Sequence, residues 1–374
     1  MRFPEFAGEW KEKKLGEICK FVRGPFGSAL KKEFFVKEGY AVYEQSHAIY
    51  GDFNSFRYYI TNEKFEELRR FSVQSKDIIM SCSGTMGKFA IVPIDAKEGV
   101  INQALLKLTL QKGYHYKFIK SILELPNTQN KLLSQSAGGA IKNIVGIAEI
   151  KQIGIQVTEL KEQEKIARFL SLLDERIATQ NKIIEELKLL KSTIRHTLFT
   201  QLDKSNTETK LIENILGYEQ PTKYIVGNTD YQNDSELTPV LTANKAFILG
   251  YTSEKDGIYD KGKCIIFDDF TMDLKYVDFH FKVKSSAIKI LTPKSGVNLK
   301  YIYEYLCFLN LVSNDHKRHY ISEVESIPIY VPQIDIQNTF SNLFSALDKK
   351  IRVESCYNDL LNAQKQYLLC QLFI

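Results

Sequence analysis

The residues of this chain best equipped for chemistry are cations and hydrogen-bonding side chains gathered around glycine-rich or polar turns. Lys31 and Lys32 follow the turn Gly24–Ser28, and Lys88 closes a loop that begins at Ser81. Lys142 and Asn143 follow the pair Gly138-Gly139. A denser cluster, His316, Lys317, Arg318 and His319, lies in the second half of the chain. Lysine and arginine at such turns neutralise phosphates, and glycine lets backbone N–H groups approach an anion closely. Gln45 with His47, and Asn244 with Lys245, are side chains of the kind that read base edges by hydrogen bonding. His316 and His319 also suggest a metal pair, but no third ligand stands nearby and the intervening Lys and Arg repel a cation, so no metal is expected. Asp268, Asp269 and Asp273 form the one acidic cluster. It could hold a cation, accept from a cytosine amino group, or face solvent; the last is the simplest reading.

Enzyme chemistry finds little support. The chain has no phosphate-binding P-loop and no glycine fingerprint for a dinucleotide or adenosylmethionine. It also lacks an Asn-Pro-Pro-aromatic signature of an adenine methyltransferase. Asp95, Lys97 and Glu98 are too compact to read as a nuclease set. No cofactor is expected. The six cysteines contain no Cys-x-x-Cys pair, which points to a reducing, cytoplasmic setting. The net charge of +5 is compatible with a polyanionic partner. Met1–Lys14 lacks the apolar core of a signal peptide, and no apolar run reaches the length of a membrane span.

The elements that must position these residues are set by an internal duplication. Ile147–Thr200 aligns without a gap on Ile321–Ile374, an offset of 174 positions, with fourteen identities. Among them are Gln163, Asp174, Ile177, Leu187, Lys191, Leu198 and Phe199. So long an ungapped match signals a tandem repeat and therefore a pseudo-twofold architecture. At 374 residues the chain is also too long for one core.

Each repeat ends in a long helix. Leu170, Leu173, Ile177, Ile184, Leu187, Ile194 and Leu198 alternate three- and four-residue steps, the spacing of a coiled-coil seam. Phe344, Leu347, Ile351, Leu361, Leu368 and Leu372 keep the same phase in the second. The first helix, about Glu162–Leu202, would be roughly 60 Å long. Polar breaks fall at matching places, Gln180 with Glu354 and Lys191 with Lys365, where they can fix register. An antiparallel pairing of the two helices is expected. The polar run Asp203–Thr209 reads as a linker, and Asp335 as a helix N-cap.

The stretches before the helices read as mixed α and β. Expected strands are Asp77–Cys82, Phe89–Pro93 and Ala104–Leu110 in the first, and Lys263–Phe267 and Ala287–Leu291 in the second. A short helix follows in each, Tyr116–Leu125 and Leu299–Leu309. The fold class is thus α+β. Two mixed α/β domains, 1–157 and 205–331, alternate with two long antiparallel coiled-coil helices, 158–204 and 332–374, in a pseudo-twofold tandem repeat.

This organisation resembles the specificity subunits of type I DNA restriction–modification systems. The connector Ile153-Gly-Ile-Gln-Val followed by Lys161-Glu-Gln-Glu-Lys-Ile-Ala-Arg-Phe-Leu170 is similar to that family's entry into its first conserved helix. Arg23-Gly-Pro-Phe-Gly-Ser-Ala-Leu-Lys-Lys32 and Ser81-Cys-Ser-Gly-Thr-Met-Gly-Lys88 resemble its target-recognition motifs. Gly138-Gly-Ala-Ile-Lys-Asn143 resembles its Gly-rich loop. The second repeat departs from the pattern. It has Ser313–Tyr320 in place of the Gly-Gly loop and Asp335-Ile-Gln337 in place of the Glu-Gln pair.

The resemblance implies a non-catalytic subunit whose two domains each read half of a split double-stranded DNA target. It implies helices that set the gap and dock two methyltransferase subunits, which motor-nuclease subunits then join. The cations and base-reading residues named above are the expected DNA contacts. Two other readings stay open: a coiled-coil adapter without a nucleic-acid role, and a fused restriction enzyme whose catalytic part goes unrecognised.

Overall fold

The computed structural model describes residues 2–135, 142–144, 146–202, 207–242, 247–313 and 318–373. The chain divides into two compact units, Met1–Thr179 with Asn358–Ile374, and Gln180–Tyr357. Each unit therefore contains one globular module and a segment of both long helices.

In the first unit a four-stranded antiparallel sheet has the order Cys19–Arg23, Leu105–Leu110, Ile78–Ser81, Phe89–Ile91. In the second unit the same order recurs as Leu216–Glu219, Ile288–Pro293, Cys264–Asp268, Leu274–Val277. A smaller sheet in each includes one parallel pair, Tyr40–Tyr43 with Gly99–Ile101 and Thr238–Leu241 with Lys282–Val283. A two-stranded ribbon ties each module's start to the connector before its long helix: Lys11–Lys14 with Gly154–Val157, and Glu208–Leu211 with Pro328–Val331. The duplication thus extends through both modules, well beyond the stretch where sequence identity is visible.

The five expected strands and both short helices are present. Ile78–Ser81 and Cys264–Asp268 are buried at every position, which explains why they read as apolar runs rather than alternations. The helix Tyr116–Leu123 buries Phe118, Ile119, Ile122 and Leu123 along one face. Leu299–Leu309 is capped by Asn298, whose side chain accepts from the N–H groups of Lys300 and Tyr301, and it ends on Asn310 in the left-handed region.

The long helices span Leu160–Thr200 and Ile334–Leu372. Their segments run antiparallel within each unit. In the second unit Gln180 donates to the Glu354 carbonyl at 3.1 Å, while Lys191 reaches Asp348 at 2.6 Å. In the first unit Lys365 pairs with Asp174. The expected polar breaks are therefore the joints of the pairing. Lys191–Asp348 and Lys365–Asp174 are the same contact made once by each repeat, and Gln180 meets its own repeat counterpart.

The identical glutamines Gln163 and Gln337 have matching roles. Gln163 accepts from the His115 N–H at 2.9 Å and donates to the Thr158 carbonyl. Gln337 accepts from the Asn298 N–H at 2.8 Å and donates to the Pro332 carbonyl. Each staples the start of a long helix to the start of its module's short helix. Glu162 has no such counterpart, since Ile336 occupies that place. It is fully buried and takes a two-nitrogen contact from Arg2 at 2.8 and 2.7 Å.

Two expectations are corrected. Glu208 and Thr209, read as the end of a linker, begin a paired strand. Asp335 is not the N-cap: it lies in the helix's first turn, and the Gln333 carbonyl accepts from Ile336 and Gln337. A carboxylate in a first turn still complements the helix dipole.

Candidate nucleic-acid interface

In the first unit, three stretches singled out by sequence converge at one end of the main sheet. Gly24 is pressed against Asn102: a Cβ there would stand 1.8 Å from the Asn102 carbonyl oxygen, and its N–H donates to the Leu105 carbonyl. That approach excludes any side chain and fixes the 24–34 loop against the turn at 102–104. Lys31 and Lys32 are exposed on this loop, Lys31 lying 3.8 Å from Glu33. Such an exposed pair is weak, leaving the lysine available to a phosphate.

The loop from Ser81 to Lys88 is built around one buried hydroxyl. Ser81 Oγ donates to the Thr85 carbonyl and accepts from the Lys88 N–H. Gly84 and Gly87 take left-handed conformations that side chains resist. The result presents Ser83–Thr85 and Lys88 to solvent. Gln45, half-buried, lies beside Gly84.

His47 has a different place. It is 3% exposed, its ring stacks on Phe56 at 4.8 Å, and both nitrogens are engaged. The Glu44 N–H donates to Nδ1, so Nε2 carries the proton directed at the Ser55 carbonyl, 3.3 Å away. The expectation that His47 meets a base gives way to an internal role, holding the segment that carries Gln45. Lys142 and Asn143 lie in a short strand, Lys142–Ile144, paired with Leu133–Gln135.

In the second unit Asn244, Lys245, His316 and Lys317 fall outside the described residues. Arg318 is exposed. His319, 1% exposed, is held internally: Nε2 lies 2.8 Å from Ser313 Oγ and Nδ1 3.1 Å from Glu323 Oε2. Its expected base contact is replaced by an anchoring role at the edge of the 313–320 segment.

The acidic cluster holds His319 and Tyr320. Asp269 is buried, receives the Tyr320 N–H at 2.9 Å through its carboxylate and the His319 N–H at 3.0 Å through its carbonyl, and faces Lys289 at 3.5 Å. Asp268, also buried, accepts from the N–H groups of Phe270 and Thr271. Only Asp273 is exposed, so the solvent-facing reading is corrected for the first two. Backbone N–H groups that need an acceptor account for the burial. Among the described residues no cluster of His, Cys, Asp or Glu could hold a metal ion, and no helix is long and apolar enough to cross a membrane.

One feature escaped sequence reasoning. A cleft of about 180 Å³ opens between the 24–34 loop and the 102–104 turn, lined by Phe26, Phe35, Glu44, Tyr58, Asn102 and Gln103 among others. Its walls come from parts of the chain far apart in sequence, and no local pattern joins them.

With this geometry in place, relatives are informative. Residues 7–189 match the type I restriction modification DNA specificity domain. The chain is 47% identical over 137 residues to the specificity subunit of the type I restriction enzyme EcoR124I/EcoR124II of Escherichia coli, covering 35% of this chain and 34% of that protein. It is 27% identical over 201 residues to the MjaVIII specificity subunit of Methanocaldococcus jannaschii, covering 54% of this chain and 44% of that one. These matches span a third to under half of the relatives' lengths. In fold, the likeness runs end to end. The crystal structure of a type I restriction–modification S subunit from M. genitalium superposes with a TM-score of 0.62 at 17% identity, covering 98% of this chain and 96% of that one.

Proposed function

We propose that this chain, whose residues 7–189 match the type I restriction modification DNA specificity domain, is the non-catalytic specificity subunit of such a complex. The module 1–157 reads one half of a bipartite double-stranded DNA target, and 205–331 reads the other. The helices within 158–204 and 332–374 set the unspecified gap and dock two methyltransferase subunits, to which motor-nuclease subunits bind. The complex works in the cytoplasm.

The observation that carries this reading is the repetition of one four-stranded main sheet and one connecting ribbon in both modules, beside helix segments joined by reciprocal ion pairs. Two copies of a scaffold with diverged loops suit the recognition of two different short sequences. Phosphate contacts would come from Lys31, Lys32, Lys88, Lys142, Lys245, Lys317 and Arg318, base contacts from Gln45, Asn143 and Asn244, and His316 could serve either role.

The test is co-expression with the candidate methyltransferase subunit, followed by genome-wide mapping of adenine methylation. A split motif with a fixed gap, absent without this chain, is the expected result. A stable complex that leaves no new methylation would overturn the recognition role, and failure to form a complex would return weight to a coiled-coil adapter.

A further inference from the structure

The cleft beside Asn102 has the features of a site for a flat, hydrogen-bonding ring. Phe26 lines the cleft and is 91% exposed, above Tyr50 and Ile94 at 80% each. The loop beneath it is rigid. Gly24 is locked on Asn102, Pro25 is buried, and the Phe26 carbonyl accepts from Ala29 at 2.9 Å. The lining also holds a stacked pair, Phe35 on Tyr58 with centroids 4.3 Å apart, and Arg57 lies over the Tyr58 ring at 4.9 Å.

Two amides, Asn102 and Gln103, belong to the same lining. Asn102 accepts from the Ala104 N–H through Oδ1, which leaves its Nδ2 with no partner among the described residues. Gln103 is exposed, and neither end of its amide has a partner there. Lys31 and Lys32 follow on the same loop.

We propose that this cleft is a base-reading site of the first module, in which the Asn102 and Gln103 amides take the major-groove edge of a base and Phe26 packs beside it. The proposal rests on the specificity-subunit reading. A carboxamide donates to N7 and accepts from N6 of adenine at once, a pairing no other base offers in the major groove, so the base is an adenine of the first half-site. Phe26 supplies an apolar contact for the thymine methyl of the same A·T pair. The adjacent lysines neutralise the phosphates that must arrive with the base.

The test uses the full chain in complex with its methyltransferase partner. Gln103→Leu and Phe26→Ala change exposed side chains, and thermal unfolding should stay at the wild-type temperature. For Gln103→Leu, one A·T position in one half of the methylated motif should become degenerate, with the other half and the gap unchanged. For Phe26→Ala, affinity for a duplex carrying the mapped motif should fall about tenfold. The proposal is overturned if both variants return the wild-type motif and the wild-type affinity. If the wild-type chain itself yields no split motif, the specificity-subunit reading fails first, and the proposal with it. A loss confined to the variants condemns neither.

Discussion

Glu304 offers the sharpest test of how a long helix is held to its module. It is fully buried on the helix Leu299–Leu309. Arg195 donates to its Oε2 through Nε and Nη2 at 2.9 and 2.7 Å, and Lys191 and Lys300 stand 2.9 and 3.0 Å from its Oε1. Both lysines also reach Asp348. Three cations thus share two carboxylates. Removing Glu304 leaves three cations around one carboxylate, which should cost about 3–5 kcal/mol, whereas removing Arg195 leaves a balanced set and should cost about 1–3 kcal/mol. The first unit shows the uncharged alternative. Ser121 lies six residues after His115, as Glu304 does after Asn298, and Leu369 is the repeat counterpart of Arg195. Ser121 and Leu369 line one hollow there, beside Lys365 and Asp174. The double variant Arg195→Leu with Glu304→Ser therefore recreates an arrangement the chain already uses. In a double-mutant cycle the cost of Glu304→Ser should drop by about 1–3 kcal/mol in the Arg195→Leu background. Thermal unfolding of the full chain should place Glu304→Ser roughly 10 °C below wild type, with hydrogen exchange in the 299–309 helix assigning the loss to the second unit. The space left by the glutamate is the same in both backgrounds and cancels in the cycle. An equal cost of Glu304→Ser with and without Arg195 would refute the idea that the two residues act as a matched pair.

Three other outcomes are expected. Gln163→Leu should cost about 1–3 kcal/mol by orphaning the His115 N–H and the Thr158 carbonyl, with Gln337→Leu doing the same in the second unit; an unchanged denaturant midpoint for either would remove the staple role. Burial pushes the Asp348 carboxyl up, but hydrogen bonds and charge from Lys191 and Lys300 outweigh it and hold the group below its ordinary value. Its folded pKa is therefore lower than its unfolded one, so its stabilisation is complete above about pH 4 and is lost as pH falls through the lowered value; Asp348→Asn should flatten that acid limb, and an unaltered limb in an acid titration of stability would contradict the assignment. Inserting four residues after Ile183, about one helical turn, should lengthen the gap of the methylated motif without altering either half, and new half-sites with the old gap would refute the ruler reading.

What could be read in the sequence follows from physical scale. The long helices were legible because a seam repeats many times: the expected Glu162–Leu202 lies within two residues of Leu160–Thr200 at each end. Five of the eight main-sheet strands were legible, most clearly Ile78–Ser81 and Cys264–Asp268, which are buried at every position, whereas the partly exposed Cys19–Arg23, Leu216–Glu219 and Leu274–Val277 were not. The small sheets were not, since Phe35–Val36, Tyr59–Ile60 and Lys282–Val283 are two residues each, too short for any alternation. At the site, residue type was a poor guide to exposure. His47, His319, Asp268 and Asp269 are polar, yet they are buried because backbone groups and other side chains near them need partners. Phe26 is apolar and stands in water. The cleft depends on the contact between Gly24 and Asn102, a tertiary approach that periodicity does not encode.

The distribution of identity between the repeats now has a physical explanation. Gln163 and Gln337 make the same staple, Asp174 and Asp348 pair with the repeat-equivalent lysines Lys365 and Lys191, and Phe199 and Phe373 pack on equivalent aromatic rings of the short helices. Each of these residues joins a helix to a module or to the other helix. A change at such a joint must be matched by its partner, as the exchange of Arg195 and Glu304 for Leu369 and Ser121 illustrates. Exposed loop residues are under no such coupling. Lys31, Lys88 and Gln103 could be replaced without disturbing a buried partner, because none has one. A duplicated scaffold with this division can change what each module reads while keeping the way the modules are held. The Gln103→Leu experiment probes that freedom directly, since it should move one letter of the target and leave the fold untouched.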